Sequence, residues 1–187
     1  MEGFRIDGKE GTSFVIRVED AEGDPATLTR ILLDIDLQTF NEATFSTYTA
    51  AAFLQHGHVF VLRADSAPST TGNIIGTATF MRTWERPNEV LLLSMGIRPG
   101  WRGRGLGQRF LDGVLDRLRQ RGLRTVTLMV ASDNRRAIRV YQDVGFEILG
   151  TTYDDPRTGE SFLSMRLQLQ DDPMIAAVPD LNTPDQD

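Results

Sequence analysis

The sequence contains no cysteine and a single lysine, Lys9. The absence of cysteine excludes disulfide bonds, thiolate metal ligands and a cysteine nucleophile within this chain. There is also no run of about 18 apolar residues that could span a membrane. The first residues, MEGFRIDGKEG, lack the apolar core of a signal peptide. We therefore expect a cytoplasmic protein that has no membrane partner.

Because lysine is nearly absent, arginine carries the basic charge, and it is concentrated in one part of the chain. Between Arg98 and Arg139 there are eleven arginines and three acidic residues, although the whole chain has a net charge of −6. A local basic field in an acidic protein suits a compact polyanion, whereas the rest of the chain would repel nucleic acid. We expect no nucleic-acid partner. The alternative is that these arginines form a solvated helix face.

The length of 187 residues is that of one domain with its own hydrophobic core. The first residues lack a clear apolar period, and the last ones are acidic and rich in proline. We expect a flexible N-terminus over residues 1–13, a folded domain over residues 14–169, and a disordered acidic tail over residues 170–187.

Apolar periodicity predicts a mixed α/β sheet, because alternating runs indicate strands and steps of three or four indicate helices. Asp133 is the expected N-cap of the last helix, and residues 85–88 and 156–159 are expected to be hairpin turns. The element order predicts an antiparallel first part of the sheet and a parallel β-α-β unit at its centre. The predicted strands are residues 13–20, 58–65, 73–84, 88–97, 124–131, 146–155 and 160–169, and the predicted helices are residues 26–40, 46–54, 106–121 and 134–144.

Three glycines at alternate positions, Gly103, Gly105 and Gly107, connect the central strand to the central helix. Glycine lowers helix stability by about 1 kcal/mol relative to alanine. A glycine-rich loop at a helix N-terminus exposes backbone N–H groups at the positive end of the helix dipole. The loop therefore predicts a site for phosphate or pyrophosphate, with a plain tight turn as the alternative.

Two common phosphate-binding loops do not fit this segment. A Walker loop requires lysine and then serine or threonine after the last glycine, where this chain has Gln108 and Arg109. A dinucleotide-binding loop requires a third glycine at position 108. The segment RGRGLG (residues 102–107) instead resembles the Q/R-x-x-G-x-G/A signature of the GNAT acetyltransferase superfamily.

The resemblance continues in LMVASDNRRAIRVYQDVGFEILG, residues 128–150. There, as in the family, a strand leads to an asparagine, a short helix carrying a tyrosine, a Gly-Phe pair and another strand. The resemblance covers about residues 14–169 and is strongest to the branch that includes ribosomal-protein N-terminal acetyltransferases. It implies the GNAT acyl-CoA N-acyltransferase fold and transfer of an acetyl group from acetyl-CoA to a primary amine, without a metal. The amine could be a protein N-terminus, a lysine or a small molecule.

The resemblance also implies roles for individual residues. Asn134 would hydrogen-bond the pantetheine arm, and Tyr141 would face the coenzyme sulfur as the catalytic proton donor. A core tyrosine is the alternative for Tyr141. The backbone that would hold the acetyl group and pantetheine is Met95, Gly96 and Ile97. The backbone that would wrap the pyrophosphate is Arg102, Gly103, Arg104, Gly105, Leu106, Gly107 and Gln108.

Met129 departs from the family pattern, because the ribosomal-type relatives have a glutamate at this position. A base would then have to come from elsewhere, act through water, or be unnecessary if the amine arrives neutral. The other candidates are Glu42, Glu89, His56 and His58. The two histidines have no evident third metal ligand, so we expect no metal site.

Without cysteine, we expect direct attack of the amine within a ternary complex of a monomer or homodimer. The N–H of Ile97 would stabilise the oxyanion. Because Met129 cannot accept a proton, a non-catalytic acyl-CoA-binding sensor or interaction module on the same fold is the alternative function. An NAD-dependent oxidoreductase is disfavoured, because the third glycine of its loop is missing.

Overall fold

The structure is a computed structural model that describes residues 3–7, 13–40, 45–65, 73–154 and 159–169. The tail predicted over residues 170–187 and most of the turn predicted at residues 156–159 lie outside this part of the chain. Within the described residues, none of the helices is long and apolar enough to cross a membrane.

A single eight-stranded sheet forms the centre of the fold and confirms the predicted mixed α/β class. Its strand order is β1-β2-β3-β4-β5-β6-β8-β7, and every neighbouring pair is antiparallel except β5 and β6. The strands are β1 (Phe4–Asp7), β2 (Ser13–Asp20), β3 (His58–Asp65), β4 (Asn73–Arg82), β5 (Glu89–Ile97), β6 (Thr125–Ala131), β7 (Glu147–Asp154) and β8 (Ser161–Gln168). The helices are α1 (Pro25–Phe40), α2 (Thr47–His56), α3 (Leu106–Gln120) and α4 (Arg135–Asp143).

Strand β1 lies within residues 1–13, where the sequence predicts a flexible segment and no strand. It pairs antiparallel with β2, from Phe4 opposite Ile16 to Asp7 opposite Ser13. Phe4 and Ile6 pack against the core. Two apolar residues in a four-residue strand give too short an alternation to detect in the sequence.

The two faces of the sheet are covered by different helices. Helix α3 buries the predicted apolar stripe, with Leu106, Phe110, Val114 and Leu118 each at most 2% exposed. Helix α4 packs on the same face, and helices α1 and α2 cover strands β3 to β5 on the opposite face. Within the residues that the structure describes, the main contacts of α1 and α2 are with β3 to β5 and not with β6, β8 or β7.

Short polar side chains begin three of the four helices. The Asp24 carboxylate accepts from the N–H of Thr27 at 2.9 Å and caps α1, and Ser46 caps α2. The predicted cap of α4 is wrong by one residue, because Asn134 rather than Asp133 caps that helix. The Asn134 side chain reaches the N–H of Ala137, three residues later, as N-cap geometry requires.

Candidate active site

Strands β5 and β6 separate halfway along their length. They pair in parallel only from Glu89 opposite Thr125 to Leu92 opposite Leu128. Beyond this point β5 continues against β4 as far as Ile97, while β6 continues against β8. The result is a gap between the carboxyl ends of two central strands, an edge where α/β sheets commonly bind ligands.

A β-bulge lies where the two strands part. The register between β4 and β5 passes from Phe80 opposite Leu92 to Thr79 opposite Ser94, which leaves Leu93 as an extra residue. A bulge bends its strand and increases the local twist. The bulge also changes which residues of β5 face the core. Leu92 and Met95 are three residues apart and would face opposite sides of a regular strand, yet both contact the core beneath α3.

The gap exposes backbone N–H groups of β5. The N–H of Arg98 donates to the carbonyl of Ile75, which follows Ile74 on β4, at 2.8 Å. Since peptide groups alternate in direction along a strand, the N–H groups of Ile97 and Met95 point away from β4 and into the gap. This orientation makes both predicted residues available as donors to a ligand.

Gly96, the predicted residue between them, has a packing role instead. A Cβ at this position would collide with the hydroxyl of Thr39 near the end of α1. Its carbonyl faces β4, where it lies close to Gly76. The absence of a side chain at Gly96 therefore lets α1 approach the end of β5.

The predicted glycine-rich loop follows a short 3-10 turn at Pro99–Trp101. Gly103 and Gly105 have φ angles of +78° and +70°, a conformation that side-chain-bearing residues rarely adopt. Gly105 is the N-cap of α3 and supplies no capping side chain. In the described chain, the N–H groups of residues 103–108 have no hydrogen-bond acceptor. They form a cluster of donors at the positive end of a helix dipole.

Gly107 has no conformational reason to be glycine. It lies in the first turn of α3 with an ordinary φ angle, and an added Cβ would meet no atom within 4 Å. Its neighbours therefore do not require a bare backbone. A ligand bound at the helix N-terminus would require glycine at this position, because a side chain would occupy the space beside the N–H groups. The loop thus fits the pyrophosphate of a coenzyme.

The two predicted arginines of the loop have different surroundings. The Arg102 guanidinium donates to the carbonyl of Ile97 and to the carbonyl of Gln38, each at 2.7 Å. Its side chain therefore connects the loop to the end of β5 and to α1. Arg104 is exposed, stacks over the Trp101 ring at 5.4 Å and makes one long hydrogen bond of 3.4 Å. Arg104 is the arginine of the two that can turn toward an anion.

Asn134 and Tyr141 lie on α4, about two helical turns apart. The side-chain oxygen of Asn134 accepts the N–H of Ala137 at 3.1 Å, so its amide NH₂ remains as the group for a ligand. The Tyr141 ring is half-buried beside Phe146, with 5.6 Å between ring centroids. Burial raises the pKa of Tyr141 to about 12. Its hydroxyl is consequently protonated at neutral pH.

The fold does not place the described candidate bases, Glu89, His56 and His58, next to the gap. Glu42 lies outside the described residues. Glu89 is buried at the other end of β5, about 25 Å from Ile97, where Arg86 contacts it at 3.0 Å. His58 contacts Asp20 at 2.6 Å at the start of β3, and His56 ends α2. The part of the chain that the structure describes holds no cluster of potential metal ligands.

A buried carboxylate that sequence reasoning did not identify lies next to the gap. Asp36 on α1 is 2% exposed and accepts from the Ser94 hydroxyl at 3.5 Å and from the N–H of Phe45 at 3.3 Å. It joins α1 to β5 beside the bulge. An acidic residue adjacent to the buried Ile35 on an amphipathic helix is the sequence signal that could have identified it.

A profile of the acetyltransferase (GNAT) family matches residues 26–146 of this chain. Among curated relatives, a mycothiol acetyltransferase of Rhodococcus erythropolis is 31% identical over 108 residues, which cover 58% of this chain. The matched part spans 36% of that relative's length.

Solved structures share the fold. The ribosomal-protein-S18-alanine N-acetyltransferase of Escherichia coli superimposes with a TM-score of 0.65 at 21% identity, over 90% of this chain and 99% of that chain. An acetyltransferase of Bacillus subtilis in complex with CoA superimposes with a TM-score of 0.63 at 17% identity, over 83% and 99% of the two chains.

Replacing Gly107 with alanine separates ligand binding from folding. We expect Gly107→Ala to melt at no lower temperature than the wild type, because its methyl group enters open space and alanine favours the helix. We expect the affinity for acetyl-CoA to fall at least tenfold, with a larger fall for Gly107→Val. Calorimetry and thermal melts measure the two quantities. Unchanged affinity for acetyl-CoA in both variants would show that the glycine-rich loop is not the coenzyme site.

The surroundings of the two loop arginines predict different effects of alanine. We expect Arg104→Ala to reduce the salt dependence of acetyl-CoA affinity, because an exposed guanidinium acts through charge that salt screens. We expect Arg102→Ala to lower the melting temperature, because it removes one hydrogen bond from the loop to the end of β5 and one from the loop to α1. Titrations at several salt concentrations measure the first effect. Superimposable salt curves for Arg104→Ala and the wild type would place Arg104 outside the site.

Proposed function

This chain belongs to the acetyltransferase (GNAT) family, and we propose that it transfers the acetyl group of acetyl-CoA to a primary amine. One observation carries this proposal: the fold places two sets of unpaired backbone donors at the same edge of the sheet. The N–H groups of Met95 and Ile97 face the gap, and those of residues 103–108 lie at the start of α3. The first set suits a thioester carbonyl and a pantetheine arm, and the second suits a pyrophosphate.

In this proposal, different residues around the gap bind different parts of acetyl-CoA, which supplies an activated acetyl thioester. In this proposal the loop N–H groups and the Arg104 side chain bind the phosphates. The amide NH₂ of Asn134 donates to the pantetheine arm. The bare backbone of Gly107 lets the phosphates approach the helix N-terminus. Arg102 positions the loop without touching the coenzyme.

The N–H of Ile97 is the proposed donor to the thioester oxygen as negative charge develops on it. Strand pairing holds the peptide group that carries this N–H, and the bond from Arg102 to the Ile97 carbonyl holds the peptide group that follows it, before any ligand binds. A preorganised donor of this kind is typically worth about 10²- to 10³-fold in rate. The chain has no cysteine to carry an acetyl group, so the amine attacks within a ternary complex.

Proton transfer in this proposal uses one side chain. None of the candidate bases that the structure describes reaches the gap, so the acceptor amine reacts in its neutral form after losing its proton to solvent. Tyr141 remains protonated at neutral pH and donates to the departing coenzyme sulfur, while the attacking nitrogen releases its second proton to solvent and the tyrosinate regains a proton from solvent. A thiolate is already a tolerable leaving group, so we expect the donor to contribute toward the lower end of the usual range for general acids.

The gap is compatible with three classes of acceptor amine. The matched relatives are named for different acceptors, and this chain spans about a third of the length of the mycothiol acetyltransferase. A protein N-terminus, a lysine side chain and a small-molecule amine are all compatible with a gap at the sheet edge.

A turnover experiment tests the proposed function. The purified chain is incubated with acetyl-CoA and a panel of amino acids, polyamines and peptides, and mass spectrometry detects acetylated products while a thiol reagent measures released coenzyme A. We expect turnover with at least one class of amine. Tight acetyl-CoA binding without any acetylated product would instead support a non-catalytic acyl-CoA-binding sensor.

Removing the Tyr141 hydroxyl tests the proton donor. Tyr141→Phe keeps the ring beside Phe146, so we expect unchanged stability and acetyl-CoA affinity. We expect kcat to fall by about 10²-fold, because general acids contribute about 10²- to 10⁴-fold and a thiolate leaves readily. Since the pKa of Tyr141 is about 12, the loss should be constant between about pH 6 and pH 9. Full kcat in this variant would identify Tyr141 as a core residue.

A further inference from the structure

Past the end of its pairing with β5, strand β6 has an edge that faces the gap. The N–H of Ser132, just after β6, donates to the Ser161 carbonyl of β8 at 2.8 Å, and the register between β6 and β8 is regular. Since peptide groups alternate in direction along a strand, those of Met129 and Ala131 point away from β8 and into the gap. The register with β5 ends before both residues.

Two of the four backbone groups on this edge already have partners. The last pair of the ladder, Leu92 opposite Leu128, joins the N–H of Met129 to the Leu92 carbonyl. The Ala131 carbonyl accepts from the N–H of Asn134 at 3.0 Å. The Met129 carbonyl and the Ala131 N–H remain, and within the described residues neither has a hydrogen-bond partner. Their spacing is the one with which a neighbouring strand pairs.

These two groups lie across the gap from the N–H of Ile97, the proposed donor to the thioester. Leu92 and Leu128 stand opposite each other. Ile97 is five residues beyond Leu92, and one of these five is the extra residue of the bulge. Ala131 is three residues beyond Leu128. Along the strands, Ala131 and Ile97 therefore differ by one residue, or about 3.3 Å.

The edge of β6 is reached from the face of the sheet opposite α3. Leu128 and Val130 belong to the core beneath α3. Because side chains alternate along a strand, the Met129 side chain between them points to the other face, where it is 56% exposed. The pantetheine arm is assigned to the β5 side of the gap. A second ligand can therefore reach the β6 edge from the face on which Met129 is exposed.

We propose that the acceptor is the N-terminus of a peptide or protein, and that it pairs antiparallel with the edge of β6. This inference rests on the proposed acetyl transfer and narrows its acceptor. The carbonyl of the first acceptor residue accepts from the Ala131 N–H, and the N–H of the third residue donates to the Met129 carbonyl. The terminal amine then lies level with Ile97. Its nitrogen bonds to the thioester carbon as the carbon–sulfur bond breaks, with the proton transfers proposed above.

Other classes of amine match this edge less well. A polyamine has neither a carbonyl for Ala131 nor an amide N–H for Met129, and the carboxylate of an amino acid has no N–H to donate. The amine of a lysine side chain is separated from its main chain by a flexible four-carbon stem, so main-chain pairing would not place it level with Ile97. Because the ladder closes at Leu92 and Leu128, later residues of a peptide leave over the face of Met129.

N-methylated peptides test the pairing. Coenzyme A release is measured with a panel of tetrapeptide amides, and each accepted peptide is compared with copies methylated on the N–H of residue 3 or of residue 4. We expect methylation at residue 3 to lower kcat/KM about tenfold, mainly through KM, because it removes a hydrogen bond and leaves the Met129 carbonyl unpaired. Residue 4 lies outside the pairing, so methylation there is the matched control and should have little effect.

Proline at position 131 tests the same pairing from the protein side. Ala131→Pro removes an N–H that has no partner in the described chain, and proline is tolerated where the edge of a strand is free. We expect a melting temperature and an acetyl-CoA affinity close to those of the wild type, and kcat/KM for peptides about tenfold lower. Val130→Pro is the matched control, since it removes an N–H that faces β8 and should lower the melting temperature.

The outcomes separate this proposal from the acetyl-transfer proposal. If acetyl-CoA does not bind, or no amine is acetylated, the proposed function itself fails. If only amino acids, polyamines or lysine side chains are acetylated, acetyl transfer stands and the pairing of a peptide with β6 is wrong. The pairing is also wrong if methylation at residue 3 has no more effect than at residue 4. A loss of acetyl-CoA affinity in Ala131→Pro as large as the loss of peptide turnover would assign this edge to the coenzyme instead.

Discussion

The separation of β5 from β6 after Leu92 is the constraint on which the rest of the site depends. A continuous parallel pair would satisfy the N–H groups of Met95 and Ile97 with acceptors on β6. The extra residue at Leu93 lies where β5 stops pairing with β6, and those groups have no partner on β6. The sheet thus keeps its core intact below the bulge and offers backbone donors above it.

Helix α1 fixes the geometry at the open end of β5. Its last turns lie against Gly96, where a side chain would collide with Thr39. Arg98 forms an ion pair with Asp34, and Arg102 donates to the Gln38 carbonyl. These contacts hold the loop and the strand end in place without a ligand. Donors that are already oriented need no reorganisation when charge develops on a bound substrate.

Sequence by itself determined the order of the elements other than β1, and it predicted the glycine-rich loop as the coenzyme-binding segment. Alternating runs and the apolar stripe of α3 are local signals, and each strand or helix that they predict is present in the described chain. The glycines at 103 and 105 are recognisable because they stand where a helix begins, and their positive φ angles require residues without a Cβ. Gly107 differs from them, because it has no positive φ angle and an added Cβ would meet no atom within 4 Å.

Tertiary structure decided which side chains become partners when the residues are distant in the chain. The sequence does not distinguish Arg102 from Arg104, because only the position of Gln38, 64 residues away, turns one guanidinium inward. It cannot show that Asp36 on α1 meets Ser94 on β5. Partners of charged side chains are set by strand order and register, which local periodicity does not contain.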